Sequence, residues 1–179
     1  MRSALLALSI LGLALAGCEG ENNVPTDAEG ALDFRVVFGD AVASDSCGDG
    51  IGGAADSWNE DVALYRIWFP DPDGIVFRLW WRNEGDSAED SSFFAEGTMR
   101  GTLETGNLEY AGGPFTEDRG DGVITYRIEG DVRARAADLW DNGQERFIIE
   151  DSTNQNAYRP GCVFTLNYEA TLQTESGGE

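Results

Sequence analysis

Val123-Ile124-Thr125-Tyr126-Arg127-Ile128-Glu129-Gly130-Asp131-Val132-Arg133-Ala134-Arg135 decides the fold class. Ile124, Tyr126, Ile128, Val132 and Ala134 fall on one side of a period of two. Thr125, Arg127, Glu129, Asp131, Arg133 and Arg135 fall on the other. Strict alternation over this length is the pattern of a strand with one face on a core and one in water.

The same period extends in both directions. Leu32–Phe38 is a β-rich run. Val62–Phe69 and Ile75–Arg82 flank Pro70-Asp71-Pro72-Asp73-Gly74, whose Pro, Asp and Gly residues predict a hairpin turn. In the second of these runs Ile75, Phe77, Leu79 and Trp81 share a face, opposite Val76, Arg78, Trp80 and Arg82. Phe93–Glu104 places Phe93, Ala95, Gly97, Met99, Gly101 and Leu103 inward. A short strand is expected around Leu108-Glu109-Tyr110, and Asp141-Asn142-Gly143 reads as a turn leading into Arg146–Asp151. Cys162–Leu172 alternates to the end, with Cys162, Phe164, Leu166, Tyr168, Ala170 and Leu172 on one face. The sum is an all-β antiparallel domain of about eight strands over residues 31–175, built as an up-and-down barrel or a barrel-like sandwich. Gly97, Gly101 and Gly130 on inward positions suit the sharp strand bending of a closing barrel.

The N-terminus is of another kind. Arg2 precedes an apolar run of about twelve residues, too short to span a hydrocarbon core that needs ~20. It ends in Leu15-Ala16-Gly17-Cys18, which closely resembles the lipobox of bacterial lipoproteins. The resemblance implies that residues 1–17 are a signal peptide, that Cys18 carries a diacylglycerol, and that cleavage falls between Gly17 and Cys18. It places the chain at a cell-envelope membrane, held by its lipid anchor; Glu19, where an Asp would signal inner-membrane retention, favours the outer membrane. Glu19–Gly30 is polar, with Pro25 and two glycines, and reads as a flexible acidic tether.

With Cys18 acylated, Cys47 and Cys162 remain. In an oxidising compartment the pair reads as a disulfide, with two free buried thiols as the alternative. In an eight-stranded meander the first strand ends at the rim where the last begins. Cys47 follows the first strand and Cys162 opens the last, so a bridge would tie the closing seam.

Loss of the leader leaves 11 Arg against 33 acidic residues, a formal charge of −22, with no Lys and no His. That balance repels nucleic acid and anionic headgroups. The absences exclude a Ser-His-Asp triad, imidazole metal ligands and Schiff-base chemistry. Carboxylate pairs remain, and Glu109, Glu150 and Glu169 lie in strands, but 33 acids guarantee accidental pairs. Asp45-Ser46-Cys47-Gly48-Asp49-Gly50, with Asp56 beyond, imitates a calcium loop but puts Cys47 in a ligand slot. Asp138–Gly143 likewise puts Trp140 in one. No cofactor and no metal are expected.

Adjacent Trp80 and Trp81 must face opposite sides of a strand. One belongs to the core; the other, flanked by Arg78 and Arg82, is a candidate surface for a glycan or an envelope protein. The long Gly39–Asp61 segment is either a lid over one barrel end or an edge cover. The leading expectation is a non-catalytic binding or interaction module. The alternative is a lipocalin-like carrier of a small apolar ligand, although the Gly-x-Trp of lipocalins is missing: Gly39 is followed by Asp40 and Ala41. A carboxylate hydrolase ranks third.

Overall fold

The computed structural model describes residues 30–47, 62–71, 73–87, 90–120, 122–156 and 158–173. The leader, Cys18, nearly all of the tether, and the parts of the Gly39–Asp61 segment and its calcium-like loop beyond Cys47 lie outside the described residues.

Among the described residues nine strands follow in order: β1 (Leu32–Phe38), β2 (Val42–Ala43), β3 (Val62–Trp68), β4 (Val76–Asn83), β5 (Ser92–Arg100), β6 (Asn107–Asp118), β7 (Val123–Ala136), β8 (Leu139–Ser152) and β9 (Val163–Leu172). Sequential antiparallel pairing runs from β1 and β3 through β9, and β9 pairs back onto β1, with Phe34 opposite Leu172 and Phe38 opposite Tyr168. Eight strands therefore close an up-and-down barrel. The two-residue β2 adds onto β9 through Val42↔Thr165 and Ala43↔Phe164. The barrel, of the two architectures open to the sequence, is the one formed.

The seam carries the disulfide. Cys47, in a 3-10 turn (Asp45–Cys47) after β2, is bonded to Cys162 at the mouth of β9. Ser46 donates to the Gly161 carbonyl at 2.8 Å, and the Val163 N–H donates to the Ser44 hydroxyl at 3.1 Å. The Pro70–Gly74 turn connects β3 to β4 as expected, with the Asp73 N–H donating to the Asp71 carboxylate at 3.0 Å.

Local irregularities redirect the alternation at several places. Trp80 pairs with Phe93 while Leu79 pairs with Ala95, so Phe94 is an extra residue in β5. One inserted residue exchanges the faces of everything before it. Phe93, expected inside, is 41% exposed on the outer side, and Phe94 is buried in its place. β5 also ends at Arg100; Gly101, with φ of +102°, starts a tight turn, and Leu103 packs against the core from it. Asp141-Asn142-Gly143 is not a hairpin turn. The chain reverses earlier, at Ala137-Asp138, and these residues form a bulge inside β8, with Asn142 at φ 52°. The short strand expected around Leu108–Tyr110 is instead the start of the twelve-residue β6. β6 shifts register at Gly112-Gly113-Pro114, where the peptide before Pro114 is cis. Ile75, placed inward by the alternation, lies outside β4 and is 53% exposed.

The interior differs along its axis. At the end where β1 begins, Phe34 stacks on Trp140 with ring centroids 3.8 Å apart, among Val36, Ile67, Leu79, Leu108 and Val132. This half is close-packed: the void among Ile67, Phe77, Leu108, Val132 and Trp140 amounts to only about 10 Å³. At the opposite end a second apolar cluster, Ile124, Ile149, Tyr158 and Phe164, packs around the disulfide on the β7–β9 side. The space left beside it is the site described next.

Candidate functional site

Between the packed half and the disulfide end lies a polar layer built of three tyrosines and one carboxylate. Glu145 on β8 is 2% exposed and is the one acidic side chain fully buried among the described residues. Tyr65 on β3 donates to Glu145 Oε2 at 2.8 Å, and Tyr110 on β6 donates to the same oxygen at 2.5 Å. The Tyr110 and Tyr168 hydroxyls are 3.2 Å apart. Burial pushes the Tyr110 hydroxyl well above the ordinary tyrosine range, and the Glu145 charge adds to it. Tyr168 is raised by the same two causes in the same order. Both phenols are thereby held neutral.

Two inward glycines make this layer possible. A Cβ on Gly130 would come within 2.0 Å of the Tyr110 ring, and one on Gly143 within 2.5 Å of the Tyr168 ring. The tyrosines thus lie flat against bare backbone, which no other residue offers. Gly130 was expected to ease strand bending; its visible use is to seat this ring.

Beyond the layer is a cavity of about 400 Å³. One wall is Tyr65, Trp81 and Phe94, with the Tyr65 and Phe94 rings 5.0 Å apart. The other is Phe115, Tyr126 and Phe147, in which successive rings are 5.6 and 5.9 Å apart. Glu145 and Ile128 also line it. The barrel wall is incomplete beside it. The β5–β6 ladder runs only from Glu96↔Ala111 to Arg100↔Asn107, while β6 continues to Asp118 paired with β7. Ser92, Phe93 and Phe94 border the cavity from β5, and Phe115 and Glu117 from β6, so its mouth lies between these strand ends. Arg119 stands there too, paired with Glu117 at 3.1 Å.

The four residues expected to form an aromatic–arginine surface are distributed over both faces of β4. Trp81 lines the cavity. Trp80 points outward yet is only 3% exposed, because Trp68 and Phe93 cover it with ring centroids 6.3 and 5.5 Å away. Arg78 lies over the Trp68 ring at 5.9 Å and pairs with Glu96 at 3.0 Å. Arg82 pairs with Asp33 at 3.4 Å, and Arg66 holds the same carboxylate through two hydrogen bonds of 2.7 Å. The aromatic bared on this outer face is therefore Phe93.

Glu109, Glu150 and Glu169 all face solvent. The buried carboxylate, Glu145, lies one residue before the strand expected at Arg146. Reading Asp141-Asn142-Gly143 as a turn hid it. Extending the period backward from Ile149 through Phe147 leads to it directly. Asp141, in the second calcium-like stretch, pairs with Arg135, and among the described residues no group of three or more Cys, Asp or Glu side chains is placed to hold a metal ion.

No protein-family model, no curated protein and no solved structure matches this chain.

Proposed function

We propose that this chain is a lipid-anchored protein of the cell envelope whose barrel binds a small molecule, without catalysis, in the cavity between the Tyr65–Phe94 and Phe115–Phe147 walls. The observation that carries the reading is the cavity itself: about 400 Å³, lined mainly by aromatic rings, with one buried carboxylate fixed by two tyrosines. Small-molecule sites are typically clefts of roughly 300–1,000 Å³ with apolar walls and a few fixed polar groups. An eight-stranded barrel can fill its interior completely or leave room for one ligand; here one half is filled and the other is not. This favours the carrier over the protein-interaction module, because the tryptophans of β4 are engaged within the fold.

The anchoring half of the proposal rests on Leu15-Ala16-Gly17-Cys18. One acyl chain gives marginal membrane binding and two or more give a stable anchor. A Cys18→Ala variant is expected to leave the detergent phase for the aqueous phase on Triton X-114 partitioning; retention in the detergent phase would refute the anchor. For the cavity, native mass spectrometry of the full chain after gentle release is expected to show a co-purified mass of small-molecule size, lost on denaturation. A Ser92→Trp/Phe115→Trp double substitution, which sets two indoles at the mouth of the cavity, is expected to lower that adduct several-fold. An undiminished adduct in this variant would place the ligand elsewhere.

A further inference from the structure

We infer that the ligand class of this cavity is an organic cation, a quaternary or tertiary ammonium small enough to sit between the two aromatic walls; this rests on the reading of the cavity as a ligand site. Three observations converge. The first is the ring content. Trp81, Phe94, Phe115, Tyr126 and Phe147 all line the space from different strands, so a group placed inside meets ring faces or edges on opposing sides. The electron-rich face of an aromatic ring attracts a cation, and the attraction strengthens where water is excluded.

The second is the sign of the charge. The ionisable acidic and basic side chains on the described lining are Glu117, Arg119 and Glu145. Two acids against one arginine give the lining a formal excess of one negative charge, and Glu145 is the most deeply buried of the three. An apolar ligand ending in a carboxylate would bring its charge toward Glu145. An ammonium is drawn inward instead. The whole chain adds to this, since its acids outnumber its arginines by 21 and its field concentrates cations at every opening.

The third is preorganisation. Tyr65 and Tyr110 converge on Glu145 Oε2, and Tyr110 is itself fixed by its ring against Gly130 and its hydroxyl beside that of Tyr168. A carboxylate buried merely to stabilise a fold needs no cavity beside it. One held by oriented donors at the inner end of an aromatic cleft has the arrangement that recognises an alkylated ammonium, whose methyl groups pack on rings while its charge is balanced without a hydrogen bond.

The test compares three water-soluble probes that share one branched head: choline, its uncharged carbon isostere 3,3-dimethylbutan-1-ol, and the anion 3,3-dimethylbutanoate. Isothermal titration into the full chain is expected to show choline binding at least tenfold more tightly than the alcohol, with no binding of the anion. Glu145→Gln is expected to erase the preference for choline over the alcohol. Phe115→Leu, at the mouth and half-buried, is expected to weaken choline several-fold with the melting temperature little changed, and it serves if Glu145→Gln fails to fold. Equal binding of choline and the alcohol would overturn the cation assignment and leave the cavity reading standing. Tighter binding of the anion would overturn it by reversing the sign. Failure of all three probes would overturn it as well, and the co-purified adduct then judges the cavity reading alone. Unchanged choline affinity in Phe115→Leu would overturn the seating of the cation between the two aromatic walls.

Discussion

At the scale of single residues, the Tyr65–Tyr110–Tyr168–Glu145 layer concentrates the costs and the specificity of the interior. A buried hydroxyl or carboxylate is tolerable only when its hydrogen bonds are made. Here they are made to one another, from four strands, which fixes those strands at one height. The raised Tyr110 and Tyr168 hydroxyls predict a stability that depends on alkali. Below pH 10 folded and unfolded chains both keep these protons, and the two residues contribute no slope. Above pH 10 the unfolded chain releases them and the native chain does not, so stability falls as pH rises. The expected slope is about 1.4 kcal/mol per pH unit for each tyrosine. Urea titrations between pH 9 and 11.5 should show this fall, and Tyr168→Phe should remove about half of it. Stability flat to pH 11.5 would refute the linkage. A second prediction concerns Gly130, where an added Cβ would collide with the Tyr110 ring at 2.0 Å. Gly130→Ala should cost about 1–3 kcal/mol through overpacking. In a Tyr110→Leu background the same change should be nearly neutral, a coupling that a double-mutant cycle reads directly. Equal costs in both backgrounds would mean that Gly130 matters for its backbone and not for the ring it seats.

At the scale of elements, the bridge is the fastener of the barrel. Cys47 and Cys162 are 115 positions apart and join the stretch after β2 to the start of β9. Cross-linking so long a loop removes much of the unfolded chain's freedom, ~4–5 kcal/mol in the chain-entropy treatment. The double substitution Cys47→Ala/Cys162→Ala is therefore expected to lose about 2–5 kcal/mol in guanidinium titrations. Dithiothreitol should destabilise the wild type by a similar amount and leave the double variant unaffected. A dithiothreitol effect on the variant would show that reductant acts elsewhere. This pairing was legible in the sequence because, with Cys18 set aside as the lipobox cysteine, two cysteines remained and the order of strands brought them to one seam. So was the antiparallel meander, since period-two alternation in β1, β3, β7 and β9 leaves little choice of face. Bulges were not legible. Phe93 and Phe94 are the same residue type side by side, and alternation alone cannot say which one is inserted; the register against Leu79 and Trp80 decides it. Asp-Asn-Gly suits a positive φ equally in a hairpin turn and in a bulge. Only the pairing of Trp140 with Ala170 on one side and Gly143 with Tyr168 on the other distinguishes them. The cavity was illegible for the same reason: it depends on where the β5–β6 ladder stops, and no residue type marks that point.

At the scale of the whole molecule, the barrel has two unlike ends, and its charge belongs to neither. The ion pairs found run mostly across neighbouring strands on the outer face, among them Arg78–Glu96, Arg100–Glu109 and Arg127–Glu150, and most of their side chains are more than a third exposed. Exposed pairs of this kind contribute about 0–1 kcal/mol each and weaken with salt. Against them stands an excess of 21 acids over arginines in a chain of 179 residues. Twelve arginines cannot pair 33 acids, and folding brings the acids of the strands closer together than in the extended chain, which raises their mutual repulsion. Salt weakens attraction and repulsion alike, so the sign of its effect shows which is larger. Twelve arginines set the ceiling on attraction, while the repulsion is summed over far more pairs of acids. Raising sodium chloride from 0.01 to 0.3 M is therefore expected to stabilise the fold, by on the order of 1 kcal/mol as the Debye length contracts from about 30 Å to less than 8 Å. For a domain of this size that corresponds to a rise of about 2–4 °C in melting temperature. Potassium and sodium chloride should act equally if screening is the cause. A melting temperature that falls with salt would mean that the cross-strand ion pairs, and not the acid excess, dominate the electrostatics of the barrel.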